Sequence, residues 1–297
     1  MRHPALHVLA LALIVAVLAS LAMAQSAPPR PFEIAASEVR TVRSDALGRA
    51  YDLYIKPPPG YGAPENTDRR YPVVVINDAG YGWLTAVGLT RAPFNLGGYE
   101  PAILVGVSYA KDERGTASRV RDYTPTNDPE WRAFETGGGA SYLDFLRDEA
   151  LPFVDAQYRT DPERRTLVGH SLGGLFAAYA LLTAPGLFTD YVLSSPSLWY
   201  HEETIFALAA ERASTGVALS GQVFIAVGST ETPAISGRPH DMVGQAAAFA
   251  ERLKAHHPET LAVRHVVYDG ATHLTTYPAA LAEALRWVLP GPDIYGG

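Results

Sequence analysis

Hydrophobic and polar positions along this chain follow two patterns that alternate. Short continuous apolar runs, typical of strands buried on both faces of a sheet, occur at residues 72–76 and 102–107. Between such runs, apolar residues recur at helical spacing, as in residues 143–154. Toward the C-terminus the patterns predict strands at 165–168, 190–193, 222–227 and 262–268 and helices at 175–182, 203–212, 241–255 and 278–289. This order predicts an α/β fold, with a mainly parallel sheet and helices on both faces.

Two segments depart from this pattern. Residues 51–55 alternate with period two and stop before prolines 57–59, which predicts an antiparallel strand at an edge of the sheet. Residues 110–140 contain charged turns and the glycines 137–139, without usable periodicity. They predict a loop of about 30 residues, which is either a lid or rim over a binding site or a flexible surface excursion.

The first 24 residues form a separate element. Arg2 and His3 precede an apolar stretch, and Ala22-Met23-Ala24 is a small-x-small cleavage site. The alternative is an uncleaved membrane anchor, because the apolar run is near the lower limit for spanning a bilayer. The cleavage site and the lack of a strongly basic flank favour a cleaved signal peptide. We therefore expect a bacterial protein, periplasmic or secreted, whose residues 25–297 form a single domain.

Composition narrows the classes of partner. The chain has 47% hydrophobic residues and can bury a large core, and it has no cysteine, so it cannot form disulfides. Its 24 basic and 31 acidic residues give a net charge of −7. This balance argues against nucleic acid as a partner and against stable association with anionic membranes once the signal is removed. A small-molecule partner fits these constraints.

The segment with the clearest chemistry is Gly-His-Ser-Leu-Gly-Gly at residues 169–174. It lies between a predicted strand and a predicted helix. Strand, Gly-x-Ser-x-Gly and helix is the pattern of the nucleophile elbow, a sharp turn that exposes a strained serine. Gly169 and Gly173 flank the serine where a Cβ would collide with neighbouring backbone. We therefore expect Ser171 to be a nucleophile.

A serine hydroxyl needs a base, and the base needs an acid to orient it. His273 lies between the last predicted strand and the last predicted helix, which fits the serine–acid–histidine order of α/β-hydrolases. The acid is expected after the penultimate strand, where Glu231 lies. Asp241, at a predicted helix N-terminus, and Asp269, four residues before the histidine, remain alternatives.

Ester chemistry also needs two backbone N–H groups to hold the oxyanion. One is expected from Leu172, directly after the nucleophile. The other is expected from the loop after residues 72–76, where Gly80 and Tyr81 are both candidates.

Other short motifs accompany this site and extend over most of the mature chain. They are Asp-Ala-Gly-Tyr at 78–81, Arg-Asp-Tyr-Thr-Pro at 121–125, Gly-His-Ser-Leu-Gly-Gly-Leu-Phe at 169–176, Ser-Ser-Pro-Ser-Leu-Trp at 194–199, and the acid and histidine at 231 and 273. In this combination the chain resembles the putative-esterase branch of the α/β-hydrolases. That branch holds enterochelin-type siderophore esterases and esterase D relatives.

The resemblance implies an α/β-hydrolase fold and hydrolysis of carboxylic esters through an acyl-serine intermediate, without metal or organic cofactor. Exported relatives in this branch hydrolyse catecholate siderophores, so the resemblance implies a siderophore-type ester as one substrate class, with cell-wall or polysaccharide acyl groups and small xenobiotic esters as alternatives. An anionic chelate needs cations near the mouth of the site, and the candidates are Arg91, Arg119, Arg121 and Arg238. The alternative for each is a pair with a surface acid. Arg121 also lies in a family motif. Trp199 is a candidate for the substrate pocket, with a buried core position as the alternative.

Two other functions share the predicted fold. One is an acyltransferase that passes the acyl group to a sugar or lipid, and the other is a non-catalytic exported binding protein. Ser171, Glu231 and His273 are all present in the expected order. This argues against the binding protein, which has no physical need of them, whereas the acyltransferase would differ by slow hydrolysis that an added alcohol accelerates.

Overall fold

One eight-stranded sheet organises the part of the chain that the computed structural model describes, residues 13–16 and 30–292. Its strands are β1 (Glu38–Ser44), β2 (Arg49–Lys56), β3 (Tyr71–Ile76), β4 (Ile103–Ala110), β5 (Thr160–His170), β6 (Asp190–Ser194), β7 (Gly221–Gly228) and β8 (Leu261–Tyr268). Their order across the sheet is β1-β2-β4-β3-β5-β6-β7-β8. The pairs β1–β2 and β2–β4 are antiparallel, and all other neighbours are parallel. The predicted α/β fold with a mainly parallel sheet is confirmed.

Helices connect the parallel strands and cover the sheet. They are α1 (Ala79–Leu96), α2 (Gly115–Tyr123), α3 (Gly139–Phe145), α4 (Leu151–Gln157), α5 (Leu172–Thr183), α6 (Tyr200–Ser214), α7 (Pro233–Ser236), α8 (Met242–His256) and α9 (Thr276–Val288). A π-helical turn, Leu146–Ala150, joins α3 to α4, and a 3₁₀ turn lies at Pro64–Asn66. All six residues of β3 are buried. Because successive strand residues point to opposite faces, both faces of the sheet are covered.

The strand at residues 51–55 is not an edge strand. It belongs to β2, which pairs with β4 on one side and with β1 on the other. The edge is β1, whose sequence EVRTVRS has only two buried residues. A strand with so few buried positions carries little hydrophobic signal, which explains why the pattern did not reveal it.

The prediction of one long loop over residues 110–140 is wrong in part. Helix α2 occupies residues 115–123, and α3 begins at Gly139, so the irregular segments are 111–114 and 124–138. The buried face of α2 carries Ser118, Arg121 and Asp122 as well as apolar side chains. A helix that buries charged residues has no apolar stripe to detect.

The chain divides into two compact units between Ala35 and Ala36. The sheet and its helices lie in the second unit. The predicted signal peptide, residues 1–24, lies outside the described residues except for a short helical stretch at 13–16. Within the described ranges, no helix combines the length and apolar character needed to cross a membrane.

Candidate active site

Ser171 occupies a strained turn at the carboxyl end of a central strand. It separates β5, which ends at His170, from α5, which begins at Leu172, and its backbone has φ 58° and ψ −118°. Non-glycine residues rarely adopt a positive φ, and such strain is typical of functional sites. A Cβ on Gly169 would lie 2.0 Å from the carbonyl oxygen of Gly173, so no side chain fits there. The turn has the geometry of a nucleophile elbow.

Glu231 and His273 form a hydrogen-bonded pair at the same edge of the sheet. Nδ1 of His273 lies 2.6 Å from Oε2 of Glu231. A carboxylate can only accept a hydrogen bond, so Nδ1 is the donor, and in the neutral tautomer of the ring Nε2 is then the acceptor. Glu231 follows β7, and His273 lies between β8 and α9. Both residues line one cavity together with Ser171, and its volume is about 440 Å³.

The Glu231 carboxylate is buried and fully hydrogen-bonded. Its Oε1 accepts from the Ser195 hydroxyl at 2.7 Å, the Gly228 amide at 2.7 Å and the Thr276 hydroxyl at 3.2 Å. Burial raises the pKa of Glu231, but the hydrogen bonds from His273, Ser195 and Gly228 outweigh burial and hold the pKa below its usual value. Glu231 is therefore ionised at neutral pH and faces the imidazole as an anion.

The two alternative acids lie elsewhere. Asp241 is the N-cap of α8, and its carboxylate accepts from the amide of Gly244 at 3.0 Å. Asp269 is exposed, and its carboxylate lies 3.5 Å from the hydroxyl of Ser229. Of the three carboxylates considered from the sequence, the structure brings Glu231 to His273.

The end of β6 and the segment after it supply three buried hydroxyls to which the sequence assigned no role. Ser197 Oγ lies 3.2 Å from Ser171 Oγ. Ser195 donates to Glu231, and Ser194 Oγ lies 3.1 Å from Nδ1 of His170. The signal for this role was the Ser-Ser-Pro-Ser motif itself, because three hydroxyls between a strand and a helix at the ligand edge of a sheet can reach a site there. Thr276 was also missed.

On the other side of the nucleophile, Asp78 anchors the loop after β3. Its backbone is left-handed, with φ 57° and ψ 46°, and its amide donates to the Tyr123 hydroxyl at 2.9 Å. Its carboxylate accepts from the Tyr109 hydroxyl at 2.7 Å and from Nε of Arg119 at 2.7 Å. Arg119 also donates from Nη2 to the carbonyl oxygen of His170 at 3.1 Å. One arginine thus ties the loop after β3 to the nucleophile strand.

The structure corrects one of the predicted oxyanion donors. The amide of Tyr81 donates to the carbonyl oxygen of Asp78 at 2.7 Å, so it is already engaged. The reason is that α1 begins at Ala79, directly after the strand, where the sequence analysis expected a loop. Gly80 lies in the first turn of α1, and Leu172 is the first residue of α5. Amides in the first turn of a helix have no acceptor within the helix, so these two remain candidates.

The prediction that Arg121 binds substrate is also wrong. Arg121 is only 7% exposed, and its guanidinium pairs with Asp122 at 2.8 Å and with Glu113 at 2.5 Å. The Arg121 guanidinium is therefore neutralised by ion pairs within the protein. Arg119 is likewise bound to Asp78, whereas Arg238 lines the cavity.

Trp199 lies where the pocket hypothesis placed it. It lines the cavity and stacks on His240, with ring centroids 4.2 Å apart and planes 3° apart. Among the described residues that line this cavity, none belongs to 110–140. Trp131 of that segment stacks against Trp199 at 6.3 Å and so supports the wall of the cavity.

His170 packs against His273. Its ring centroid lies 4.7 Å from that of His273, and the side chain is buried. Burial lowers the pKa of His170 to about 3, with help from the neighbouring His273 and Arg119. His170 is therefore neutral at physiological pH.

Comparison with known proteins agrees with this geometry. The family model described as "Putative esterase" matches residues 44–288. Ferri-bacillibactin esterase BesA of Bacillus subtilis strain 168 is 30% identical over 289 residues, which cover 90% of this chain and 94% of BesA. The crystal structure of the BES protein from Bacillus cereus superposes with a TM-score of 0.76 at 28% identity, covering 89% of this chain and 99% of that one. An IroE-like serine hydrolase from Shewanella oneidensis has a TM-score of 0.71 at 27% identity, covering 84% and 79%. The chain therefore belongs to the Putative esterase family and is an ester hydrolase with the α/β-hydrolase fold.

Proposed function

We propose that this protein hydrolyses carboxylic esters through an acyl-serine intermediate, with Ser171 as the nucleophile. The observation that carries the proposal is the 2.6 Å contact between His273 and Glu231 in the cavity that Ser171 also lines. Nε2 of His273 takes the proton of the Ser171 hydroxyl as Oγ attacks the ester carbonyl, and it returns that proton to the leaving alcohol. A water molecule then attacks the acyl-serine with the same base. Glu231 orients His273 and stabilises its protonated form.

The oxyanion formed in each step needs donors that are already in place. We assign this role to the amides of Leu172 and Gly80, which lie in the first turns of α5 and α1. Asp78 and Arg119 hold the second of these helices in position.

A siderophore-type ester is the substrate class that we propose. BesA, at 30% identity, is a ferri-bacillibactin esterase, and its likeness to this chain extends over 90% of the sequence. The cavity beside Ser171 combines aromatic and aliphatic side chains with an arginine, which suits an aromatic chelator with polar groups. We also propose export to the periplasm or medium, on the basis of the leader-like residues 1–24.

The test is hydrolysis of p-nitrophenyl butyrate by the purified protein and by its Ser171→Ala variant. We expect kcat to fall by several orders of magnitude in the variant, because only binding and the oxyanion donors remain. Ser214→Ala is the matched control, since Ser214 ends α6 on the surface. Equal rates in the wild type and Ser171→Ala would refute the serine mechanism.

A second assay addresses the substrate. Ferric and metal-free trilactone siderophores are incubated with the protein, and the linear products are measured by chromatography and mass spectrometry. We expect ring opening that Ser171→Ala abolishes. Hydrolysis of the nitrophenyl ester without any opening of the trilactones would retain the serine mechanism and exclude this substrate class.

A further inference from the structure

The cavity beside the nucleophile contains a cation that has no anionic partner. Among the described residues that line it, the charged side chains other than histidine are Glu231 and Arg238. Glu231 is committed to His273. Arg238 is exposed, its backbone amide donates to Ser236 at 3.1 Å, and its guanidinium has no ion pair or hydrogen bond within the described residues. This guanidinium is therefore available to a ligand.

A flat aromatic surface lines the same cavity. Trp199 and His240 stack in parallel at 4.2 Å, and Trp131 stacks against Trp199 with ring centroids 6.3 Å apart. Burial lowers the pKa of His240, although nearby Glu203 opposes this shift, so the ring is neutral at pH 7. A neutral aromatic pair of this kind offers a stacking surface to another ring.

Backbone conformation explains how the arginine and the aromatic surface come to line one cavity. The segment between Glu231 and α8 forms the short helix α7 and then turns at Gly237, whose φ is 66°. This turn precedes Arg238 and His240, so both follow one tight bend. Ile235 on α7 is 65% exposed and Leu274, next to His273, is 70% exposed, and both line the cavity. Large apolar side chains exposed around a cavity are typical of a binding surface.

We propose that Arg238 and the Trp199–His240 stack form a subsite for an aryl group that carries an anionic oxygen. The ring lies on the aromatic surface, and its phenolate, carboxylate or sulfonate oxygen accepts hydrogen bonds from the guanidinium. The inference rests on the proposed function and deepens it: Arg238 binds a part of the substrate remote from the ester carbonyl. A protein with a net charge of −7 repels anions in general, so a local cation is needed to select them.

The test compares esters that differ only in charge. One pair is phenyl acetate and 4-sulfophenyl acetate, with the charge on the alcohol side. The other is 4-nitrophenyl benzoate and 4-nitrophenyl 4-sulfobenzoate, with the charge on the acyl side. For at least one pair we expect Arg238→Gln to lower the ratio of kcat/KM for the charged over the neutral ester about tenfold, mainly through KM. Arg238→Lys should retain part of the ratio, because it keeps the charge and loses the fork of donors.

Arg91→Gln is the matched control, since Arg91 is exposed on α1 and does not line the cavity. It should leave the ratio unchanged. An equal ratio in the wild type and Arg238→Gln for both pairs would overturn the subsite, even if every ester is hydrolysed. Loss of neutral-ester hydrolysis in Ser171→Ala tests the proposed mechanism separately.

A binding measurement tests the proposed subsite without relying on ester hydrolysis. Calorimetry of Ser171→Ala with 4-sulfobenzoate and with benzamide should show tighter binding of the anion. Adding Arg238→Gln should remove that preference, and adding Trp199→Ala should weaken both ligands. An anion preference that survives Arg238→Gln would refute the assignment.

Discussion

Ser171, the proposed nucleophile, lies between two regions in which the charged side chains are arranged differently. On the oxyanion-loop side, formed by the loop after β3 and α2, Asp78 and Arg119 are paired at 2.7 Å and Asp78 is buried. On the cavity side, formed by residues 230–242 and 272–274, Arg238 is exposed and has no partner within the described residues. A buried pair fixes the position of backbone atoms, because losing either partner leaves an uncompensated charge. An exposed single charge fixes nothing and can bind a ligand.

Glu231 connects the two regions. It is only 4% exposed and accepts four hydrogen bonds, so it is buried and bonded like Asp78 on the oxyanion-loop side. One of these bonds comes from His273, which lines the open cavity. In the proposed mechanism, Glu231 is thus held rigidly where it orients His273, and His273 is accessible from the cavity.

The largest effect should come from breaking this connection. We expect Glu231→Gln to lower kcat on the order of 10⁴-fold, because a neutral amide cannot stabilise the imidazolium and can accept or donate toward Nδ1. Folding should change less, since the amide can keep part of the hydrogen-bond set. The measurement is kcat for p-nitrophenyl butyrate with stability followed by urea unfolding.

Asp241→Asn and Asp269→Asn are the matched controls for the acid. Asp241 caps α8 and Asp269 is exposed, so each variant should keep kcat within a few-fold of the wild type. A loss in Asp241→Asn or Asp269→Asn as large as that in Glu231→Gln would reassign the acid.

A smaller loss of kcat should distinguish Arg119 from Arg121, two arginines that the sequence alone does not distinguish. Arg119 and Arg121 are both carried by α2 and are both paired with carboxylates. Replacing either by Met should destabilise the protein by about 3–5 kcal/mol, because each leaves a carboxylate without its cation. Only Arg119→Met should also lower kcat, about 10²-fold, because it releases the loop that positions the Gly80 amide.

Both variants are compared at a temperature at which urea unfolding shows them to be folded. If Arg121→Met lost as much kcat as Arg119→Met, the loss would reflect general loosening and not the oxyanion loop. A normal kcat in Arg119→Met would show that Asp78 is held without it.

The sequence predicted the sheet and the strained turn at Ser171, because each leaves a local signal, and it offered Glu231 as one of three candidate acids for His273. Buried strands are continuous apolar runs, and the elbow needs glycines at fixed offsets. The meeting of Glu231 and His273 follows from topology, since residues after neighbouring parallel strands meet at one edge of a sheet.

Burial and pairing of single charged residues leave no such signal. Arg91, Arg119, Arg121 and Arg238 are the same residue type, and only the fold decides which is paired inside and which lines a cavity. The helix directly after Asp78 was missed for a related reason: its first turn, Ala-Gly-Tyr-Gly, contains two glycines and predicts a loop. The Tyr81 assignment failed with it.

The smallest expected effect is on the pH dependence of stability, and it concerns the buried His170. In the folded protein its pKa is about 3, mainly because it is buried, against about 6.5 in the unfolded chain. Between these values the unfolded state binds a proton that the folded state does not, so stability is lost as pH falls below about 6.5. From pH 7 to pH 5 this one group should lower the free energy of unfolding by about 2 kcal/mol.

His170→Gln should therefore show a smaller loss of unfolding free energy over that range, measured by urea titration, whereas exposed His256→Gln should match the wild type. If His170→Gln lost as much unfolding free energy as the wild type, the His170 ring would also be protonated in the folded state. The buried surroundings of His170 would then contain a charge that its hydrogen bonds do not account for.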